Sequence, residues 1–167
     1  YSMICVTPST SHSTPIFSAA TFAEPPSANA RAKASYRPDD YMPVKEAGQM
    51  LFVDGDHEVC PGVHVRVTGG HTSHHQVVYL ESAGEKAVYF ADIMPTKSHL
   101  SPPWVMGYDH FPLASCDIKS EWLAKATKEN YLVIFDHEPG IPWGKVKVSE
   151  AGRFEFEPLL EESLALV

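Results

Sequence analysis

Three segments of the sequence place histidine or aspartate directly after a strand-like run. One run passes through two glycines to His71, a second ends at Asp92, and a third ends at Asp136 and His137. Imidazole nitrogens and carboxylate oxygens are ligands that zinc, iron and manganese accept in proteins. An aspartate can bridge two metal ions through its two oxygens, whereas each histidine gives one nitrogen. If the three strand ends meet, the sequence predicts a metal site in which Asp92 lies between His71 and His137; the alternative is that these residues have ordinary surface, cap or turn roles.

Two further histidines follow His71 in the stretch VTGGHTSHHQ. His74 and His75 have helical spacing from His71, but the glycines before them and the strand pattern after them favour a loop. The two glycines allow the backbone to turn sharply at the strand end. We therefore expect His74 and His75 in a solvated loop, or His75 hydrogen-bonded to the turn, with metal binding as the minor alternative.

The elements that position these residues are short strands separated by turns. The run VHVRVT alternates apolar and polar residues, which is typical of a strand with one buried face. QVVYLE and AVYFA flank a turn that contains Gly84, a pattern that predicts a hairpin. YLVIF predicts a strand covered on both faces, and KVKV with RFEFE predicts a half-exposed hairpin. Because a sheet brings strand ends together along one edge, residues distant in sequence can converge there.

Two helices are predicted. Apolar residues at helical spacing indicate one from Pro112 to Glu129, where proline suits the first turn. Residues 1–40 are rich in Ser, Thr, Pro and Ala, so we expect an irregular N-terminal segment with one short helix near Ser27 to Tyr36. With about seven strands, residues 1–167 are expected to form a single α/β domain with a mostly antiparallel sheet.

Composition limits the partners of the chain. It has 167 residues, 44% of them apolar, and a net charge of −8, which fits a globular domain and argues against nucleic acid or an anionic membrane as partner. Apolar runs are far shorter than the ~20 residues that a membrane helix needs. The three cysteines lack a C-x-x-C spacing, so neither a disulfide framework nor a thiolate zinc site is indicated. A cytoplasmic location fits this pattern best.

The stretch GVHVRVTGGHTSHHQVVYLESAGEKAVYFADIMPTKSHL resembles the second half of a metallo-β-lactamase-fold hydrolase, in which a G-H-T-x-G-H turn, a hairpin and a G-D strand end recur. YLVIFDHEPGIPWGKV resembles the last strand of that family, and SPPWVMGYDHFP resembles its lactonase-like branch. The resemblance runs from about Phe17 to Val148. It implies the C-terminal portion of a four-layer αββα sandwich, mostly antiparallel sheet with flanking helices.

The resemblance also assigns roles to residues. His71 matches the histidine that completes the first metal site, Asp92 the catalytic carboxylate that bridges both metals, and His137 the histidine of the second site. Family members usually bind two zinc ions, which activate a water molecule and polarise the scissile carbonyl. The resemblance thus implies hydrolysis of a small ester, lactone, thioester or amide.

The sequence departs from the family pattern in three places. Ala91 stands where the family usually has glycine before the bridging aspartate, and His74 occupies another glycine position. The H-x-H-x-D-H motif, which supplies most of the family's metal ligands, is nowhere in the chain. We therefore expect an incomplete enzyme, truncated or degenerate, with partial or no zinc occupancy.

The sequence also fits two alternative functions. One is a non-catalytic fragment or interaction module, whose exposed apolar sheet face would contact a second copy or a partner that carries the missing half. The other is a redox or di-iron relative on the same fold, because the ligand set alone does not select the metal.

A long segment rich in proline and aromatic residues follows Asp92 directly. Loops that leave a rigid sheet commonly carry binding groups, so we predict that His99, Trp104 and Tyr108 contact the substrate. The alternative is that Trp104, Met106 and Phe111 pack under the following helix.

Overall fold

The computed structural model describes residues 4–6, 14–18 and 38–160. The first part contains strands β1 (Ile4–Val6) and β2 (Thr14–Ser18), helix α1 (Pro38–Glu46) and strand β3 (Leu51–Val53). Strands β4 (His57–Cys60), β5 (Val63–Val67), β6 (Gln76–Ser82) and β7 (Glu85–Tyr89) follow, then helix α2 (Pro112–Lys128) and strands β8 (Leu132–Ile134), β9 (Trp143–Val148) and β10 (Phe154–Pro158). Two short 3₁₀ turns, Ala91–Ile93 and Lys97–His99, lie between β7 and α2.

Seven strands form one mixed, mostly antiparallel sheet in the order β10-β9-β8-β7-β6-β5-β4. Its neighbouring strands are antiparallel except β7 and β8, which are parallel. Strands β1, β2 and β3 form a smaller sheet. This architecture confirms the predicted fold class, a portion of the αββα sandwich with a mostly antiparallel sheet.

Helix α2 covers one face of the large sheet and forms the main core with it. Leu123 and Ala126 on the helix are buried in the same cluster as Val77, Val88 and Val133 from three adjacent strands. The predicted helix is confirmed to within a residue at its C-terminal end, and proline occupies its first turn. Burial of apolar side chains on one face of a helix is the usual source of its stability in a protein.

The opposite face of the large sheet meets the small sheet. Val53 of β3 packs with Val65 of β5, whose side chain points away from α2. Leu51 and Phe52, beside Val53, are about two-fifths exposed.

The N-terminal expectations were partly wrong. The segment predicted as irregular contains β1 and β2, because Ile4, Val6 and Ile16 favour strands and their pairing outweighs the surrounding Ser and Pro. Helix α1 also begins within that segment and tolerates Pro43 inside it. The helix predicted near Ser27 to Tyr36 lies outside the described residues.

No helix in the described ranges is long and apolar enough to cross a membrane.

Candidate metal centre

The candidate centre lies where three strands of the large sheet end. β5 and β7 are both antiparallel to β6, and β7 is parallel to β8, so β5, β7 and β8 run in the same direction. Asp92 follows β7 in a 3₁₀ turn, and His137 follows β8. His71 follows β5. The sheet thus brings the three predicted ligands to one edge, as their positions at strand ends indicated.

Asp92 lies between the two histidines. Its Oδ2 is 3.7 Å from Nε2 of His71, and its Oδ1 is 3.2 Å from Nε2 of His137. Two atoms bound to one zinc ion at ~2.1 Å with a tetrahedral angle are separated by ~3.4 Å. Each oxygen of Asp92 could therefore share a metal ion with a different histidine, so the three residues fit the bridged site.

Asp136 is a fourth donor that the sequence interpretation did not assign. Asp92, Asp136 and His137 place one ligand atom each within 4.8 Å of one another. Oδ2 of Asp136 is 3.3 Å from Nε2 of His137, and its Oδ1 accepts a hydrogen bond of 2.5 Å from the Tyr89 hydroxyl. The signal was present in the sequence, because Asp136 directly precedes His137 at the strand end.

His71 is oriented by Asp109. Nδ1 of His71 is 2.9 Å from Oδ1 of Asp109, whose side chain is fully buried. Burial raises the pKa of Asp109, but the hydrogen bond from His71 and the nearby Ser115 hydroxyl outweigh this effect and hold the pKa below its ordinary value. An ionised Asp109 accepts a hydrogen bond from Nδ1–H of His71, which keeps the proton on Nδ1 and leaves the lone pair of Nε2 directed at Asp92, the tautomer that a metal requires. Asp109 was not predicted, because it lies in a loop without strand or helix periodicity, 38 residues from His71.

Gly70 permits the close packing of His71 against α2. It has φ +84°, and a Cβ there would lie 2.6 Å from Cδ1 of Ile93 and 2.9 Å from Oγ of Ser115. Its carbonyl accepts a hydrogen bond from the amide of Phe111. The expected role of the glycines before His71 is therefore confirmed, since only glycine combines this φ with this contact.

His137 is held by backbone contacts with the segment after Asp92. Its amide donates to the carbonyl of Pro95 at 2.9 Å. The next residue, Glu138, pairs with Lys97 at 3.1 Å and also accepts from the Lys97 amide. These contacts connect the residues that follow β7 and β8, so Asp92 and His137 share one local framework.

Ala91 adopts φ +48°, the left-handed conformation that favours glycine. It is buried and directly precedes Asp92. The family's glycine at this position is thus explained by the backbone, and alanine takes the same conformation here at a cost of ~1 kcal/mol or more.

Several solved structures resemble this chain. A probable metal-dependent hydrolase from Staphylococcus aureus has 28% sequence identity and a TM-score of 0.73, over 87% of this chain and 52% of that protein. AbOPH, a hydrolase in the beta-lactamase superfamily, has 19% identity and a TM-score of 0.75, over 88% of this chain and 55% of its own. AidC, a dizinc quorum-quenching lactonase in complex with a product, has 22% identity and a TM-score of 0.60, over 79% and 48% of the two chains.

The chain has the metallo-β-lactamase fold. It spans about half the length of the solved structures it matches. No protein-family model and no curated protein sequence matches it. The neighbour at 28% identity is named a probable metal-dependent hydrolase, and in this chain Asp92, Asp136 and His137 form a group of donors that could hold a metal ion.

In this metallo-β-lactamase-fold chain His75 is buried, not solvated. Only 5% of it is exposed, and its Nδ1 lies 2.7 Å from the hydroxyl of Thr68. Burial and, to a smaller extent, the nearby His71 together lower the pKa of His75 to about 3. His75 is therefore neutral and hydrogen-bonded to the turn, which was one of the two expectations for it. The other expectation, a solvated loop, was wrong for His75.

The predicted substrate residues differ in their relation to the centre. The ring of Tyr108 packs edge-on against His71, with 5.7 Å between the ring centroids. Burial raises the pKa of Tyr108, and the charges of Asp92 and Asp109 raise it further. His99 is partly buried and bonds through Nδ1 to the hydroxyl of Thr96 at 2.8 Å. Tyr108, one of the predicted substrate residues, thus contacts His71, a candidate metal ligand.

Trp104 is 64% exposed and Phe111 is 48% exposed. The alternative in which these side chains pack under α2 was therefore wrong. The group of α2 that reaches this loop is instead the Lys119 ammonium, which donates to the carbonyls of Ser101, Pro102 and Trp104.

Proposed function

We propose that this chain forms the carboxylate-bridged part of a metal-dependent hydrolase site that acts on a small ester, lactone, thioester or amide. The observation that supports it most strongly is the position of Asp92, whose two oxygens face two different histidines at 3.7 and 3.2 Å. A surface aspartate in a turn has no need of such an arrangement, whereas a bridging ligand requires it.

His71, Asp92 and His137 are the proposed ligands, with Asp136 as an added donor. Zinc is the proposed metal, and when bound it supplies an activated water and polarises the substrate carbonyl. Asp109 keeps the Nδ1 proton on His71 and so keeps Nε2 free for the metal. Tyr108 packs against His71, and the pKa of its hydroxyl is raised. The hydroxyl therefore remains protonated near neutral pH and donates a hydrogen bond to substrate.

The ligand set in this sequence is smaller than the family's, because H-x-H-x-D-H is absent. We therefore propose that the isolated chain binds metal weakly and with less than full occupancy. A partner that carries the remaining ligands would complete the site.

Metal titration tests this function directly. The purified chain is titrated with zinc, and with cobalt to give a visible absorption spectrum that reports the ligands. We expect binding in the wild type and none after Asp92→Ala, since both proposed positions lose their shared ligand. His57→Ala is the matched control, because His57 is exposed on β4, and it should bind as the wild type does.

Two outcomes would overturn parts of the proposal. Unchanged zinc binding by the Asp92→Ala chain refutes the ligand assignment. Tight binding of two zinc equivalents by the wild-type chain alone refutes the incomplete site.

A non-catalytic interaction module is a second candidate, favoured by the exposed Leu51 and Phe52 on the small sheet. Sedimentation equilibrium distinguishes it. An interaction module predicts self-association that Phe52→Ser weakens, and a strictly monomeric chain counts against it.

A further inference from the structure

Lys119 is a buried lysine in a helix that otherwise buries apolar side chains. It lies one turn after Ser115 and one turn before Leu123 on the inner face of α2, and only 1% of it is exposed. Lysine is rarely buried unless its charge is paired. Here the ammonium donates to three main-chain carbonyls, those of Ser101 at 2.9 Å, Pro102 at 3.4 Å and Trp104 at 2.6 Å.

The carbonyls that Lys119 contacts belong to a turn with few donors of its own. Pro102 and Pro103 have no N–H group. Within the turn the amide of Trp104 donates to Ser101, and the amide of Val105 donates to Pro103. Carbonyls turned toward the interior require a partner, and the ammonium supplies it, because its three hydrogens match three acceptors.

The same loop is attached to the metal centre at its other end. The amide of His110 donates to the carbonyl of His71 at 3.0 Å, and the carboxylate of Asp109 accepts from the His71 ring. Trp104 belongs to the first attachment through its carbonyl and Tyr108 lies between the two, and both side chains are more than half exposed. The loop of residues 101–110 is thus fixed at both ends and presents the ring of Tyr108 against His71 of the centre.

We propose that Lys119 is a positioning residue that holds the loop of residues 101–110 in place as a wall of the substrate site. The identity of this loop as a substrate wall rests on the proposed function, whereas the attachment by Lys119 does not. A loop ordered in advance does not lose its freedom when substrate binds, so affinity improves. Loss of Lys119 should therefore weaken substrate binding more than it slows the chemical step.

Hydrogen exchange measured by mass spectrometry tests the attachment in the whole chain. Lys119→Met keeps the length of the side chain and removes its donors. Lys128→Met is the matched control, since Lys128 is exposed in the last turn of the same helix. We expect exchange in the peptide that contains the Trp104 and Val105 amides to become about tenfold faster in Lys119→Met. Peptides from the sheet, and all peptides of Lys128→Met, should exchange as in the wild type.

Tryptophan quenching gives a second readout. Trp104 is the most exposed of the three tryptophans, as Trp122 and Trp143 are partly buried. Subtraction of a Trp104→Phe background isolates its signal, and Lys119→Met should change its acrylamide quenching and its emission maximum. If both readouts are the same in Lys119→Met and Lys128→Met, the positioning role is refuted.

Lys119→Arg keeps the test decisive if Lys119→Met does not fold. Arginine retains the charge and donors, so loop protection should remain within about threefold of the wild type. Free exchange of the loop in a folded Lys119→Arg chain would overturn the proposal.

Kinetics separates this inference from the proposed function. If the wild type hydrolyses a nitrophenyl ester or an acyl lactone with zinc, Lys119→Met should raise KM and leave kcat and zinc content largely unchanged. A fall in kcat at constant KM would contradict the inference. If the wild type neither binds zinc nor hydrolyses these probes, the proposed function fails, and the exchange comparison still decides the role of Lys119.

Discussion

The carboxylate of Asp109 holds the ring of His71 through a hydrogen bond of 2.9 Å between Oδ1 and Nδ1. This bond selects the tautomer of His71 and directs Nε2 toward Asp92. Such outer contacts commonly change metal affinity by about 10- to 100-fold when removed.

We therefore expect Asp109→Asn to weaken zinc binding by about tenfold and Asp109→Ala by more. Asparagine retains an acceptor but lacks the charge that favours the Nδ1 proton. Competition with a chromogenic chelator measures the affinity, and circular dichroism confirms the fold. An affinity in Asp109→Ala equal to that of the wild type would show that His71 needs no such partner.

Asp136→Asn tests the fourth donor. The amide keeps a contact with the Tyr89 hydroxyl but is a poorer metal ligand, so zinc affinity should fall about tenfold. Asp117→Asn, an exposed change on α2, serves as control and should leave the affinity as it is. If both variants bind zinc equally well, Asp136 lies outside the coordination sphere.

Gly70→Ala should destabilise the chain by about 2–4 kcal/mol, because the added methyl group meets Ile93 and Ser115 and alanine disfavours positive φ. Urea unfolding measures the change. Gly107→Ala is the control, since a Cβ there meets no atom within 4 Å, and its effect should stay within about 0.5 kcal/mol. Equal stability of the two variants would mean that the His71 turn is looser than the structure indicates.

Stability at alkaline pH should depend on Lys119. Burial lowers its pKa from 10.5 to about 8, although Cys116 and Asp109 act in the opposite direction. Between these two values the unfolded chain binds more protons than the folded chain, so this group makes the free energy of unfolding rise with pH.

The difference in unfolding free energy between wild type and Lys119→Met reports the pH dependence that Lys119 contributes, because all other titrating groups are the same in the two proteins. Between about pH 8 and about pH 10.5, the wild type should become more stable relative to Lys119→Met by on the order of 2 kcal/mol. Lys128→Met should follow the wild type across the same range. A difference that does not vary with pH would mean that Lys119 has an ordinary pKa.

The sequence predicted the edge at which the centre forms, because His71, Asp92 and His137 each follow a strand and the hairpin pattern set the strand directions. It could not reveal Asp109, which lies in a loop without periodicity and meets His71 only after folding. Lys119 was missed for another reason: a lysine is expected at the surface. Its spacing of four residues from Leu123 was the available signal, since it places both on one helix face.

The N-terminal strands were missed because short strands depend on their partners more than on their own composition. β2 pairs with β3, which is more than 30 residues away, and such pairings leave little local signal.

All three acceptors of Lys119 are carbonyl oxygens of the main chain, which every amino acid possesses. The attachment therefore does not depend on the side chain of Trp104. Residues such as Trp104 could be exchanged in a library, or in evolution, while the backbone path beside the centre is preserved. Helix α2 thus holds the backbone of the loop in place, so substrate preference can change through the loop side chains without a change in the fold.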